Sequence, residues 1–256
     1  MRLVIKIGSS TLTHSNGCLN IRSFERLCQV IADVKNAGNE VIVVSSGAIA
    51  LGRSKLSLGE RPKDIPTKQA AAAVGQCELM YFYDKLFSKY HHNVAQILIS
   101  ADDLLGGERK LNFGNTVERL IELNALPVIN ENDTVATAEI SVSDNDTLSA
   151  YVAVCVKADM LVLLSDIDGL YSADPHIDGN AKLISKVDEI TPEIENIAGG
   201  SVSGLGTGGM ATKLNAAKIC TGAGVDMVIS NGANPELLYD ILEGKLVGTL
   251  FKGKKV

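Results

Sequence analysis

Short, uninterrupted apolar runs recur along this chain, and stretches of helical periodicity separate most of them. The runs are Leu3–Ile7, Val41–Val44, Val94–Ile99, Leu126–Ile129, Met160–Leu164, Met227–Ile229 and Val247–Leu250. They are continuous rather than alternating, so each strand must be covered on both faces. That is the requirement of a parallel sheet with helices on either side. Between Ile21 and Ala37, the residues Phe24, Leu27, Cys28, Ile31 and Val34 follow helical spacing, and Gly38 stands where a glycine ends a helix. A second helix is expected over Thr67–Tyr90, opened by Pro66-Thr67. Leu148, Tyr151, Val152 and Cys155 line a third helix; Met210, Leu214, Ala217 and Cys220 line a fourth. The expected fold is α/β: a three-layer α/β/α sandwich with a mostly parallel central sheet. One stretch breaks the pattern. VATAEISV at Val135–Val142, after the turn-rich NEND, reads as a small antiparallel excursion.

At about 150 residues per domain, 256 residues allow one large domain or two small ones. No linker, low-complexity tract, repeat or composition shift divides the chain, so a single domain over 1–256 is expected. The net charge of −6 and the absence of Trp argue against a nucleic-acid partner. No segment reaches the about 20 apolar residues needed to cross a bilayer, and MRLVIKIGSS reads as a strand, not a signal peptide. The five cysteines are odd in number and contain no CxxC, as expected of reduced thiols in a cytoplasmic protein. The four histidines show no metal-ligand spacing, and no metal-ligating residues are expected from the sequence.

In such sheets, ligands lie beyond the carboxyl ends of the strands, at helix N-termini. The 24 glycines gather partly at those ends. Lys6-Ile7-Gly8-Ser9-Ser10 follows the first strand, and its backbone can turn N–H groups towards an anion. Lys6 lies inside the strand itself, either reaching a ligand or snorkelling from an edge. Ser45-Ser46-Gly47 follows the second strand, with Ser46 placed as a helix cap or a ligand contact. Asn130-Glu131-Asn132-Asp133-Thr134 is a polar cluster on an apolar strand, readable as a turn or as a small-molecule site. Ser143-Asp144-Asn145-Asp146 has the spacing of a capping box. Ser165-Asp166-Ile167-Asp168-Gly169 fails the calcium-loop pattern but suits a turn with a nucleotide contact.

The segment Ser203–Lys213, SGLGTGGMATK, matches GxGxxG only formally. No apolar strand precedes it, which argues against a dinucleotide fingerprint, and its lysine does not fit a Walker A loop. What remains is a glycine-rich run that delivers N–H groups and a lysine to a helix start, which suits phosphate binding.

Taken in order, IKIGSS, VVSSGAIALGR, NENDTVATAEI, SDNDTLSA, LLSDIDGLYSADP and SGLGTGGMATK resemble the glutamate 5-kinase branch of the amino acid kinase family. The resemblance implies ATP- and Mg²⁺-dependent phosphorylation of the γ-carboxylate of L-glutamate, the first step of proline biosynthesis. By the same resemblance, Lys6 and Lys213 correspond to the lysines that neutralise the transferring phosphoryl group, and Asp146 to the aspartate that positions them. Ser46, Asp133 and Asn145 correspond to glutamate-binding residues. Lys6, Gly8, Ser9, Ser165, Asp166 and the run Thr207, Gly208, Gly209, Met210, Ala211, Thr212 and Lys213 correspond to nucleotide-binding positions. The resemblance further implies proline as a feedback inhibitor, a homo-oligomer (dimer or tetramer), and hand-over of the product to a glutamyl phosphate reductase. Many relatives continue into a small C-terminal module of the PUA type, which is not expected here. Two alternatives stay open: a related kinase for acetylglutamate or aspartate, and a non-catalytic amino-acid sensor on the same fold.

Overall fold

The computed structural model describes residues 1–60, 62–135, 145–175, 177–199 and 209–254. Among these, eight strands form one sheet: β1 (Arg2–Ile7), β2 (Glu40–Ser45), β3 (Val94–Ile99), β4 (Leu126–Glu131), β5 (Met160–Ser165), β6 (Lys186–Val187), β7 (Asp226–Asn231) and β8 (Thr249–Phe251). Their order is β3-β4-β2-β1-β5-β7-β8-β6, parallel except for the β7–β8 pair. The expected last strand, Val247–Leu250, is corrected to Thr249–Phe251. Gly248, at φ +74°, sits with its α-carbon against Ile229 O and holds a conformation that an extended chain cannot adopt.

The helices are α1 (Ser9–Leu12), α2 (Ile21–Asn36), α3 (Ala48–Lys55), α4 (Ile65–Ser88), α5 (Gly107–Glu122), α6 (Asn145–Cys155), α7 (Pro192–Gly199), α8 (Met210–Gly222) and α9 (Leu237–Leu242), with a 3₁₀ turn at Ala101–Leu104. In α2 all five periodic apolar residues are buried, Asn20 Oδ1 accepts from Ser23 N, and Gly38 follows at φ +89°. The second helix starts two residues earlier than its pattern suggests. Asp64 caps it through Thr67 N, and Pro66 falls inside the first turn.

Two apolar layers sandwich the sheet. One packs Phe24, Leu27, Ile31, Leu79, Tyr83 and Leu238 against Leu3, Ile5, Val43 and Val162. The other packs Phe113, Val117, Leu148, Val152, Leu214 and Cys220 against Val4, Ile42, Ile129 and Leu161. The expected three-layer α/β/α sandwich is thus observed. The proposed excursion at Val135–Val142 falls, beyond Val135, outside the described residues. The cysteines are free; Cys28 and Cys220 are buried, Cys155 is half-buried, and Cys18 and Cys77 are exposed. No helix among the described residues is long and apolar enough to cross a membrane.

The chain leaves β1 for β2 on one side and later returns to β5 on the other. The end of β1 is therefore flanked by the loops of both halves, the location where open α/β sheets hold ligands.

Candidate active site

Lys6 belongs to β1, which pairs with both β2 and β5, so it is no edge residue. It is 7% exposed, and its ammonium pairs with Asp146 Oδ1. Lys213, in the first turn of α8 and 4% exposed, reaches Asp146 Oδ2 at 3.0 Å. Asp146 itself is fully buried in the first turn of α6, where the helix dipole favours a carboxylate. Burial pushes the Asp146 carboxyl up, but the charges of Lys6 and Lys213 outweigh it and hold the group below its ordinary value. Three elements distant in sequence thus meet in one triad, with two ammonium groups against one carboxylate. Two buried ammonium groups converging on one point suit an anion.

Beside the triad lies a second polar cluster. Asn145 Nδ2 donates to Ser45 O at 2.8 Å, Ser46 Oγ at 2.8 Å and Asn130 Oδ1 at 3.0 Å. Ser46 is therefore bound to the start of α6 and is not the cap of α3. That place is taken by Gly47, at φ +100°, with no side-chain cap. Ser45 Oγ shares a hydrogen bond with Tyr83 Oη of α4 at 2.8 Å, and Asn130 Nδ2 donates to Gln76 Oε1 of α4 at 2.9 Å.

Asp133 lies in the turn after β4, half-buried, and burial pushes its carboxyl up to about 6. No hydrogen bond among the described residues ties it to the Ser46–Asn145 pair. Its neighbour Glu131 is 3% exposed, and neither carboxyl oxygen has a hydrogen-bond partner among the described residues. Burial pushes Glu131 up to about 7. The Asp133 and Asp103 charges add to the rise, while the nearby Ser100 hydroxyl and Ala101 N–H oppose it without reaching bonding geometry.

On the other side of β1, Gly8 N–H donates to Leu164 O at 3.1 Å and fastens the turn into α1, whose first residue is Ser9, to β5. Ser165 Oγ donates to Asp166 Oδ1 at 3.0 Å at the end of β5. Beyond it, Asp168 accepts from Asn231 Nδ2 at 2.7 Å and Tyr171 Oη at 2.8 Å, linking the exits of β5 and β7. Gly209, Met210, Ala211, Thr212 and Lys213 open α8. Thr207 and Gly208, also expected at the nucleotide, lie outside the described residues, as do Ser143 and Asp144.

Sequence reasoning assigned no role to Gln76 or Tyr83, and named Asn130 and Glu131 only as members of the polar cluster at the end of β4. Their signal was present: Gln76 and Tyr83 share the buried face of α4 with Leu79, and a polar residue on an apolar face needs a partner.

A buried lysine pair bridged by an aspartate, at the switch point of a parallel sheet, defines a phosphate-handling α/β protein. The chain belongs to the amino acid kinase family, whose profile matches residues 1–231. It is 53% identical to a glutamate 5-kinase of Clostridium tetani, over 99% of this chain and 95% of that protein. It is 50% identical to a glutamate 5-kinase of Clostridium perfringens, over 99% and 96%. In three dimensions it resembles carbamate kinase from Giardia lamblia bound to AMP-PNP, with a TM-score of 0.71 at 16% identity, covering 99% of this chain and 98% of that one. At that identity the likeness concerns the fold alone.

Proposed function

We propose that this chain transfers the γ-phosphoryl group of ATP to the γ-carboxylate of L-glutamate, forming L-glutamyl 5-phosphate, the first step of proline biosynthesis. The observation that carries the reading is the Lys6–Asp146–Lys213 triad, in a chain at least 50% identical to glutamate 5-kinases over nearly its whole length.

The chemistry follows from charge. A γ-carboxylate with a pKa of about 4.3 is already ionised at neutral pH, so the nucleophile needs no general base. One of its oxygens forms a bond to the γ-phosphorus, and the bond from that phosphorus to the bridging oxygen breaks, leaving its electron pair on ADP. Charge builds on the phosphoryl oxygens during transfer, so catalysis reduces to positioning and positive charge. Lys6 and Lys213 supply that charge. Asp146 keeps both ammonium groups aimed at one point.

Ser46, Asn145 and Asp133 hold glutamate in this reading. Asp133 and the Asn145 Oδ1 acceptor face the α-ammonium, and Ser46, whose Oγ accepts from Asn145 and so keeps its own proton to donate, faces a carboxylate. Gly8 and Ser9 after β1, together with Thr207, Gly208, Gly209, Met210, Ala211, Thr212 and Lys213, bind the nucleotide phosphates in this reading, with Lys213 supplying an ammonium group and the Gly8 N–H kept by Leu164 O. Ser165 and Asp166 contact the nucleoside end. Mg²⁺ enters as part of the MgATP substrate. Such an ion needs only one or two carboxylates besides phosphates and water, and among the described residues no three His, Cys, Asp or Glu converge on a metal position. When bound it neutralises phosphate charge. The product is an acyl phosphate, labile in water, so a reductase that consumes it promptly is the expected next partner.

The test is ATP-dependent formation of γ-glutamyl hydroxamate from glutamate and hydroxylamine. Lys213→Ala is expected to lower turnover about a hundredfold or more, as for loss of a transition-state donor. Faster turnover of acetylglutamate or aspartate by the wild type moves the substrate assignment within the family. An unaltered rate in Lys213→Ala removes the mechanism, and binding of glutamate without any turnover points to a sensor.

A further inference from the structure

The amides beside the triad form a network in which the orientation of each can be deduced. The atom of Asn145 that contacts Ser45 O must be its nitrogen, because a backbone carbonyl only accepts. That nitrogen donates to Asn130, so the atom it meets there is oxygen. The same oxygen receives Glu131 N–H at 2.9 Å, which agrees. The other end of Asn130 is then nitrogen, and it donates to Gln76 Oε1 at 2.9 Å. Gln76 Nε2 is what remains. It carries two N–H donors, its residue is 8% exposed, and it has no partner among the described residues. Asn145 Oδ1, at the other end of the chain of amides, is a buried acceptor without a partner. The network thus terminates in one vacant donor and one vacant acceptor.

The position of Gln76 is fixed by its neighbour. A Cβ on Gly75 would lie 1.8 Å from Ala48 O, and one on Gly52 would lie 1.7 Å from Ala71 O. Helices α3 and α4 therefore meet backbone to backbone at the step before Gln76. The helix that carries Gln76 is clamped against the one that follows Ser46-Gly47. Buried donors held this rigidly are paired in folded proteins, by protein, water or ligand.

We propose that Gln76 is a further substrate-binding residue, whose Nε2 donates to a carboxylate oxygen of the amino-acid substrate. This rests on the glutamate reading above. A donor and an acceptor on linked amides suit the carboxylate and ammonium groups of one α-amino acid. The amide of Gln76 is locked by Asn130, so the donor faces the substrate without a rotational search. It gives the carboxylate a neutral anchor separate from the lysines, whose charge is then reserved for the phosphoryl group.

The experiment compares the wild-type full chain with Gln76→Met and Gln76→Glu in the hydroxamate assay, varying glutamate and ATP separately. Gln76→Glu keeps the acceptor towards Asn130 but removes both donors and adds a negative charge. Gln76→Met removes all polar atoms at similar length. The expected result is a KM for glutamate raised roughly tenfold in Gln76→Met and further in Gln76→Glu, with kcat and the KM for ATP within about threefold, as for loss of uniform ground-state binding. Stabilisation by glutamate in a thermal melt should fall in parallel, with the ligand-free melting temperatures recorded beside it. A KM for glutamate within about twofold of wild type in the variants that fold overturns the inference and makes water the partner of Gln76. So does an equal loss in kcat and in both KM values, which marks a purely structural amide. If Gln76→Met does not fold, Gln76→Glu decides by the same split. Failure of the wild type to use glutamate at all fails the substrate reading instead, and the substrate that does turn over then serves in the same comparison.

Discussion

Replacing Glu131 by Gln should stabilise the protein progressively as pH rises. In the folded chain this carboxyl is buried without a hydrogen-bond partner and stands at about 7, against an ordinary 4.5. A group whose folded value is raised favours folding in its protonated form. Its contribution is fully present below the unfolded value and is lost as pH climbs through the folded one. The distance from 4.5 to about 7 corresponds to about 3 kcal/mol against the ionised form. Relaxation and water penetration reduce this to about 2 kcal/mol. Gln is neutral throughout, so the variant escapes the loss. Its own unpaired N–H groups carry a cost, but one that does not change with pH. For a chain of this size, about 2 kcal/mol is about 4–8 °C in melting temperature. The assay is a set of thermal melts of both proteins from about pH 5 to about pH 8.5. The difference, variant minus wild type, should grow by that amount across the range. A constant difference, or one that shrinks as pH rises, refutes the reasoning.

Asp146→Asn removes the carboxylate shared by two buried ammonium groups and should destabilise the chain by about 3–5 kcal/mol, measured by chemical denaturation. Saturating ATP should restore more of the melting temperature in that variant than in the wild type, because phosphate replaces the missing charge. Gly75→Ala drives a methyl group into the backbone of α3 and should cost about 3 kcal/mol, seen as a fall of about 6–12 °C in melting temperature. An unaltered melting temperature would contradict the α3–α4 contact.

The central strands were legible because residues buried on both faces must be apolar without interruption, and Leu126–Ile129 and Met160–Leu164 obey this. The short strands β6 and β8 were not. Lys186–Val187 is too brief to carry a pattern, and β8 begins only where Gly248 releases the extended chain. Among the helices, α5 was missed: only Phe113 and Val117 of its apolar residues are fully buried, and Leu111 faces out, which blurs its periodic stripe. Sequence also named Lys6, Asp146, Lys213, Ser46 and Asn145, and the fold brings them together. It could not show that Lys6 and Lys213 share Asp146, since 140 and 67 residues separate the partners and only the strand order closes that distance. Gln76 stayed hidden for a related reason. Its importance lies in an unpaired nitrogen, a property of the hydrogen-bond network and not of the local sequence.

The two sides of the site differ in charge, and this difference orders the substrates. At Asp146 two lysine ammonium groups converge. At the end of β4 two carboxyl groups stand instead, Glu131 buried and Asp133 half-buried, both raised. Between the two lie the neutral amides of Gln76, Asn130 and Asn145. A uniformly positive cleft would hold ATP but would repel the α-ammonium of an amino acid and leave its orientation free. For the proposed reaction, an acidic end, a neutral middle and a positive end suit a zwitterion in one direction, with the ammonium at Asp133, the α-carboxylate at the amides and the side-chain carboxylate towards Lys6 and Lys213. The nucleophile is then delivered to the point where the phosphoryl charge is neutralised. The reach from ammonium to reacting oxygen is set by protein groups on three different elements, so chain length of the substrate, and not charge alone, becomes a criterion for turnover.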